Sequence, residues 1–132
     1  MTDHYHAVIW MDHAQAKIVR FNATEAQAMK VQTHLSGRHV QHKANTTGSG
    51  HKSPDKEFYG EIIAAVERSG AILLAGPGTG KVEFKHYLAE HAPKIDARIS
   101  AVETLDHPTD GELIALARKF FKVDDRMHAQ GD

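Results

Sequence analysis

Residues Ala75-Gly-Pro-Gly-Thr-Gly-Lys81-Val82 have the look of a phosphate cradle. A working loop of that kind reads glycine, four residues, then Gly-Lys-Ser/Thr. Its backbone N–H groups wrap the phosphates, its lysine reaches them and its hydroxyl holds magnesium. Two of those positions are filled by the wrong residue: Ala75 stands where the first glycine belongs, and Val82 stands where the magnesium ligand belongs. The segment also comes late in a short chain, which leaves little room for a second magnesium-binding strand and a base pocket. Nucleotide hydrolysis is therefore not expected. The plain reading is a strand-to-helix turn whose glycines supply unusual dihedrals, with a weak anion site at the following helix N-terminus as its residual chemistry.

A second candidate is cationic. Arg38, Lys43, Lys52 and Lys56 fall within nineteen residues opposed only by Asp55. His39, His42 and His51 lie among them and add charge when protonated beside phosphate. Gly48, Gly50 and Asn45 give the backbone freedom to mould to a polyanion, and ordering on such a ligand is salt-sensitive. The expected contact set for RNA or phosphate is Arg38, His39, His42, Lys43, Gly48, Gly50, His51 and Lys52. No aromatic residue interrupts the segment, so base stacking is not its mechanism. The bland alternative is a solvated surface loop.

Other chemistries find less support. Eleven histidines are scattered through the chain. His4 and His6 share a strand face and His39 and His42 flank a short stretch, while His86 and His91, five apart, diverge on a helix. Zinc needs three or four converging ligands and nothing like His-Glu-x-x-His is present, so neither a metal nor a cofactor is expected. The absence of cysteine removes thiolate zinc sites, iron–sulfur clusters, disulfides and cysteine nucleophiles together. A metal-dependent phosphoesterase or nuclease would need gathered carboxylates. Asp12, Glu61 and Asp106 are the available set, each with an ordinary reading as a turn former or exposed helix residue. No serine-nucleophile context appears.

The elements that would position these residues are legible in the chain's patterning. Its 132 residues, 41% hydrophobic and 25% charged, suit one globular domain, and a net charge of −1 excludes a protein that coats nucleic acid by bulk charge. The apolar runs Ala7–Met11 and Ala71–Ala75 are far too short to span a bilayer. The first residues lack a secretory pattern, so a cytoplasmic setting without membrane contact is expected. Tyr5–Asp12 and Ala16–Asn22 read as a strand hairpin, and alternation of Met29, Val31, Thr33 and Leu35 predicts a third strand from about Ala28 to Leu35. Ser36–Ser53 has no period, and irregular stretches of that length in a compact domain are usually functional or mobile. Ser53-Pro54 then caps a helix to about Arg68, with Phe58, Tyr59, Ile62, Ile63, Ala65 and Val66 on its apolar face.

Ala71–Ala75 lacks polar alternation and predicts a central strand covered on both faces. A helix over Lys81–His91 ends at Pro93, and Ala97–Glu103 forms a fifth strand. Thr109-Asp-Gly-Glu112 is a capping box opening a helix to about Lys122, with Leu113, Leu116, Ala117 and Phe120 inward. A single domain over residues 1–123 with a loose tail at 124–132 follows. The order β-β-β-α-β-α-β-α predicts an α/β, ribonuclease-H-like mixed five-stranded sheet with flanking helices.

Ala75-Gly-Pro-Gly-Thr-Gly-Lys-Val-Glu-Phe84, followed by Lys85-His-Tyr-Leu88, resembles the "AGPG…K-x-x-F…Y-L" segment of the Pelota family's central domain. That domain shares its fold with the eukaryotic and archaeal peptide-chain release factors. The resemblance runs in order from Tyr5 to Phe121, through the opening hairpin His6-Ala-Val-Ile-Trp-Met-Asp-His-Ala-Gln-Ala-Lys-Ile-Val-Arg-Phe21 and the closing Val102-Glu-Thr-Leu-Asp-His-Pro-Thr-Asp-Gly-Glu-Leu113. It is closest to the small single-domain bacterial relatives called translational machinery proteins. It implies the fold, a translation setting, and the ribosome or tRNA as partner. In release factors the loop before the first helix carries Gly-Gly-Gln, which meets the peptidyl-tRNA ester. The corresponding stretch here is Thr47-Gly-Ser-Gly-His51, so peptidyl-tRNA hydrolysis by that route is not expected. Pelota lacks the tripeptide too and serves without hydrolysing the ester. The expectation is a non-enzymatic, translation-associated domain that holds RNA phosphates through its basic glycine-rich loop. The alternatives are the metal-dependent phosphoesterase and a homodimer joined along a sheet edge.

Overall fold

A computed structural model describes residues 6–22, 24–33 and 56–129, with side chains as far as Lys122. Within them lie the strands β1 (His6–Met11), β2 (Gln15–Phe21), β3 (Ala26–Gln32), β4 (Ala71–Gly76) and β5 (Ile99–Thr104), and the helices α1 (Lys56–Val66), α2 (Gly80–His91), α3 (Pro93–Asp96) and α4 (Asp110–Ala129). The sheet order is β3-β2-β1-β4-β5. β2 is antiparallel to both β1 and β3, while β1, β4 and β5 run parallel. This is the mixed, helix-flanked α/β sheet that the sequence predicts.

The apolar runs at β1 and β4 form because these strands are central and covered on both sides, where continuous burial replaces alternation. On one face Ile9, Ile18, Ile72 and Leu74 meet Phe58, Tyr59, Ile62 and Val66 of α1 and Phe84 and Leu88 of α2. On the other, Val8, Trp10, Val19, Phe21, Leu73 and Ala75 meet Leu113, Ala117 and Phe121 of α4. Removing a buried leucine or isoleucine from such a layer costs about 2–5 kcal/mol. No helix among the described residues is long and apolar enough to cross a membrane.

Several boundaries differ from expectation. Pro93 does not merely end α2: it opens the four-residue α3, proline being well suited to a first helical position. The turn of Ala97 and Arg98 closing α3 delays β5 to Ile99. α4 continues past Lys122 to Ala129, since no glycine or proline intervenes before Gly131. Leu116, expected inward, is 38% exposed. α4 sets Leu113, Ala117 and Phe121 on β1, β2 and β4, and Leu116 falls to the side of that stripe. The capping box is realised: the Thr109 backbone N–H donates to Glu112 Oε1 at 2.9 Å, and the Glu112 N–H donates to Thr109 Oγ1 at 3.1 Å. The expected Ser53-Pro54 cap, Tyr5, Leu35 and the Ser36–Ser53 stretch lie outside the described residues.

The C-terminus of α1 carries no basic residue of its own. Arginines from neighbouring strands and turns supply the donors its last carbonyls need. Arg98 Nη1 donates to Glu67 O at 2.8 Å and Ser69 O at 3.2 Å, and Arg20 Nη1 donates to Ala65 O at 3.4 Å. These bonds fix the helix against the edge where β4 begins.

Candidate functional site

The parallel strands deliver their C-terminal ends to one edge, the usual place for a site in an α/β sheet. β1 ends there at Met11, β4 at Gly76 and β5 at Thr104. β3 runs in the same direction as β1, and its last residue, Gln32, pairs with Gln15 just after the β1–β2 turn. Thr33 N–H then donates to Ala14 O at 3.0 Å. α1 ends beside the start of β4, so its first residue, Lys56, returns to the C-terminal edge. Thr33 and Lys56, the described residues on either side of 34–55, thus both lie at this edge. All eight expected contact residues, Arg38, His39, His42, Lys43, Gly48, Gly50, His51 and Lys52, lie outside the described residues.

The described part of the edge is a hydrogen-bonded brace. Asp12 Oδ1 accepts from the N–H groups of Ala14 at 2.8 Å and Gln15 at 3.0 Å, shaping the β1–β2 turn. Its other oxygen stands 3.8 Å from His107 Nε2, and Asp106 Oδ1 is 3.3 Å from His107 Nδ1. The His107 ring leans on Trp10 with centroids 4.8 Å apart. Trp10 is buried, and its Nε1–H donates to both Leu105 O and Asp106 O at 3.0 Å. A buried indole needs such a partner, and here it pins the β5–α4 connection to β1. Lys17 Nζ adds a second pin, 3.3 Å from both Pro108 O and Asp110 Oδ1.

The Gly-Pro-Gly loop belongs to the same brace. A Cβ on Gly76 would sit 2.1 Å from Met11 O, and one on Gly80 would sit 3.1 Å from the Asp12 carbonyl carbon. These glycines let the loop lie directly on the end of β1. Lys81, the residue that would reach phosphate in a nucleotide site, is only 6% exposed, and its Nζ donates to Gly78 O at 2.6 Å. The lysine closes its own loop. His13 Nε2 pairs with Glu83 Oε1 at 3.3 Å on the outer side.

The carboxylate set separates. Asp12 and Asp106 share His107, but Glu61 is on α1, which packs on the sheet face opposite α4. Among the described residues no group of three or more His, Asp or Glu side chains could hold a metal ion. His6 packs its ring against Phe121 at 4.4 Å and Phe21 at 5.7 Å; its expected companion His4 lies outside the described residues. His86 is exposed, and His91 leans on Tyr87 at 4.5 Å. Sequence reasoning gave no role to His107. The available signal was a tryptophan at the end of a fully apolar strand, which requires an acceptor from a neighbouring connection. Beside His107, Leu105, Asp106, Pro108, Glu112 and Leu116 line an open depression of about 340 Å3.

This architecture recurs in solved structures. Archaeoglobus fulgidus Pelota matches with a TM-score of 0.59 and 17% identity, over 86% of this chain and 30% of that one. Saccharomyces cerevisiae Dom34, a translation termination-like factor involved in RNA quality control, matches with a TM-score of 0.57 and 14% identity, over 98% and 38%. The archaeal translation termination factor aRF1 matches with a TM-score of 0.53 and 14% identity, over 82% and 32%. The fold is that of the Pelota and aRF1 central domain. The chain spans about a third of the length of these neighbours, 30% to 38%. At such identity the likeness is one of Pelota-like fold. No family model and no curated protein matches the chain.

Proposed function

We propose that this chain is a non-enzymatic, translation-associated domain, akin to the small bacterial relatives of Pelota. It holds ribosomal RNA or tRNA phosphates through the segment Arg38–Lys56. The observation that carries this reading is the match of nearly the whole chain to translation-factor structures, 98% of it in the case of Dom34. Arg38, Lys43 and Lys52 supply charge, His39, His42 and His51 add to it when protonated, and Gly48 and Gly50 leave the backbone free to follow the ligand. Because phosphates are read as charge, little sequence specificity follows. Two features support this reading over nucleotide or ester chemistry: Lys81 is occupied on Gly78 O, and Thr47-Gly-Ser-Gly-His51 stands in place of Gly-Gly-Gln. A cytoplasmic location belongs to the same reading.

Co-sedimentation with ribosomes across a salt series tests it. The chain should pellet at low salt and be released as salt rises. Replacing Arg38, Lys43 and Lys52 together by alanine should abolish association, these three residues accounting for about 2–3 of the parent's log–log salt slope if each meets one phosphate. Unchanged association in that variant defeats the proposal. Metal-stimulated RNA cleavage lost in Asp12→Ala would instead favour the phosphoesterase.

A further inference from the structure

β5 is the outermost strand of the sheet on its side, and its outer hydrogen-bonding edge has no neighbour among the described residues. The opposite edge is blunted: β3 carries Lys30 and ends in glutamine, the polar decoration by which edge strands discourage pairing. β5 reads Ile-Ser-Ala-Val-Glu-Thr and has no lysine, arginine or proline. Its one irregularity is a register shift near its start, where Ile72 faces Ile99 and Leu73 faces Ala101. The rest of the strand, from Ala101 to Thr104, is regular.

Apolar surface gathers on both sides of this edge. Val102, whose partner Leu74 faces α1 and α2, is 37% exposed. Leu116 of α4, on the other face, is 38% exposed and forms one wall of the 340 Å3 depression with Leu105 and Pro108. These are two of the three large hydrophobic side chains exposed among the described residues. The rim carries one sign of charge. Asp106 and Glu112 line the depression, which has no lysine or arginine in its wall, and Glu103 is exposed on β5 itself. The nearby Lys17 is already paired with Asp110.

We infer that the outer edge of β5, with the depression between Leu105 and Leu116, docks an extended protein segment that carries a lysine or arginine and an apolar residue two positions apart, so that both side chains point to the face shared by Glu103 and the depression. The strand edge would take the backbone as an added strand. The depression would take one apolar side chain, and Glu103, Asp106 and Glu112 would face the cations. A polyanion is repelled by the same carboxylates, which separates this surface from the proposed RNA contact. A second copy of the chain would bring its own Glu103 and Val102, with no added cation to meet the rim.

The test uses the isotope-labelled full chain and amide NMR titration with three probes: a peptide of repeating Lys-Thr-Val-Val, which sets lysine and valine on one strand face, the same peptide with glutamate for lysine, and oligouridylate. The lysine peptide should move resonances of β5, of Leu105–His107 and of Leu116, with an affinity that falls as salt rises. Glu103→Gln with Glu112→Gln should weaken binding roughly fivefold. Leu116→Ser and Val102→Lys should weaken it further, each with its unfolding midpoint lowered only modestly, since both side chains are more than a third exposed. Several results overturn the inference: no binding of the lysine peptide, shifts confined to another surface, or equal response to the glutamate peptide. Movement of the same resonances by oligouridylate, or by raising the concentration of the chain alone, overturns it too.

Discussion

Alanine at Gly76 offers a quantitative test of what the Gly-Pro-Gly loop is for. The new Cβ would lie 2.1 Å from Met11 O, and no real contact of that kind falls under 3.0 Å, so β1 and the β4 end must part by about 0.9 Å. Neither side is a flexible side-chain tip. Met11 O belongs to the central strand, and Gly76 O accepts the Leu105 N–H at 2.9 Å, the bond that starts the β5–α4 connection. A shift near 1 Å breaks two or three bonds of this kind at about 1 kcal/mol each and loosens the layer beneath Trp10, for a loss of about 3 kcal/mol. Gly80→Ala, with its nearest atom at 3.1 Å, asks the Asp12 turn to yield by only a few tenths of an ångström; about 1–2 kcal/mol is expected. Gly78 meets nothing within 4 Å, and its alanine variant should stay within about 0.5 kcal/mol of the parent. Gly60 in α1 also meets nothing within 4 Å, and there alanine should stabilise by about 0.5–1 kcal/mol through helix propensity. Urea unfolding followed by tryptophan fluorescence reads the series, Gly76→Ala moving the midpoint down by roughly 1.5 M. If Gly76→Ala and Gly78→Ala unfold together, the close-approach argument is wrong and the glycines need another reason.

Two further substitutions probe the same end of the sheet. Trp10→Phe keeps most of the buried ring but removes the N–H that both Leu105 O and Asp106 O accept; thermal unfolding should show a loss of about 1–3 kcal/mol, and a silent variant would mean the connection is held elsewhere. Thr109→Ala takes the capping oxygen from the Glu112 N–H and should cost about 1 kcal/mol, measured by circular dichroism melting.

The fold was legible wherever a single physical cause dominated. Ala7–Met11 and Ala71–Ala75 announce central strands because two covered faces leave no polar position, and Thr109 with Glu112 announces a helix start because that pair can only satisfy each other's N–H. Legibility failed where a residue has two uses. Pro93 stops one helix and starts another, and composition does not say which use prevails. Leu116 keeps the helical period of the buried stripe, yet α4 packs over β1, β2 and β4, and which strands a helix crosses is not written in its own sequence. Lys81 follows the glycines as a phosphate lysine would. Only the distance from Nζ to Gly78 O reveals that it is already occupied.

Charge bookkeeping along the chain sharpens what the ribosome experiment must find. Of sixteen basic residues four fall in Arg38–Lys56, and of seventeen acidic residues only Asp55 does, so that segment carries +3 and the remaining chain −4 with histidine neutral. The segment is bounded by an edge holding Asp12, Glu83, Asp106, Asp110 and Glu112, with Lys81 buried and Lys17 paired. Such an edge opposes a polyanion, and at low ionic strength the opposition reaches tens of ångströms. On the proposed reading attraction to phosphate comes from this segment, and removing Arg38, Lys43 and Lys52 takes the net charge from −1 to −4 with histidine neutral. The triple variant should lose association altogether instead of weakening by degrees, and adding back any one of the three residues should restore only a fraction. A graded, roughly equal loss for each lysine tested anywhere in the chain would mean that phosphate is held by diffuse charge, and the segment would have no special claim.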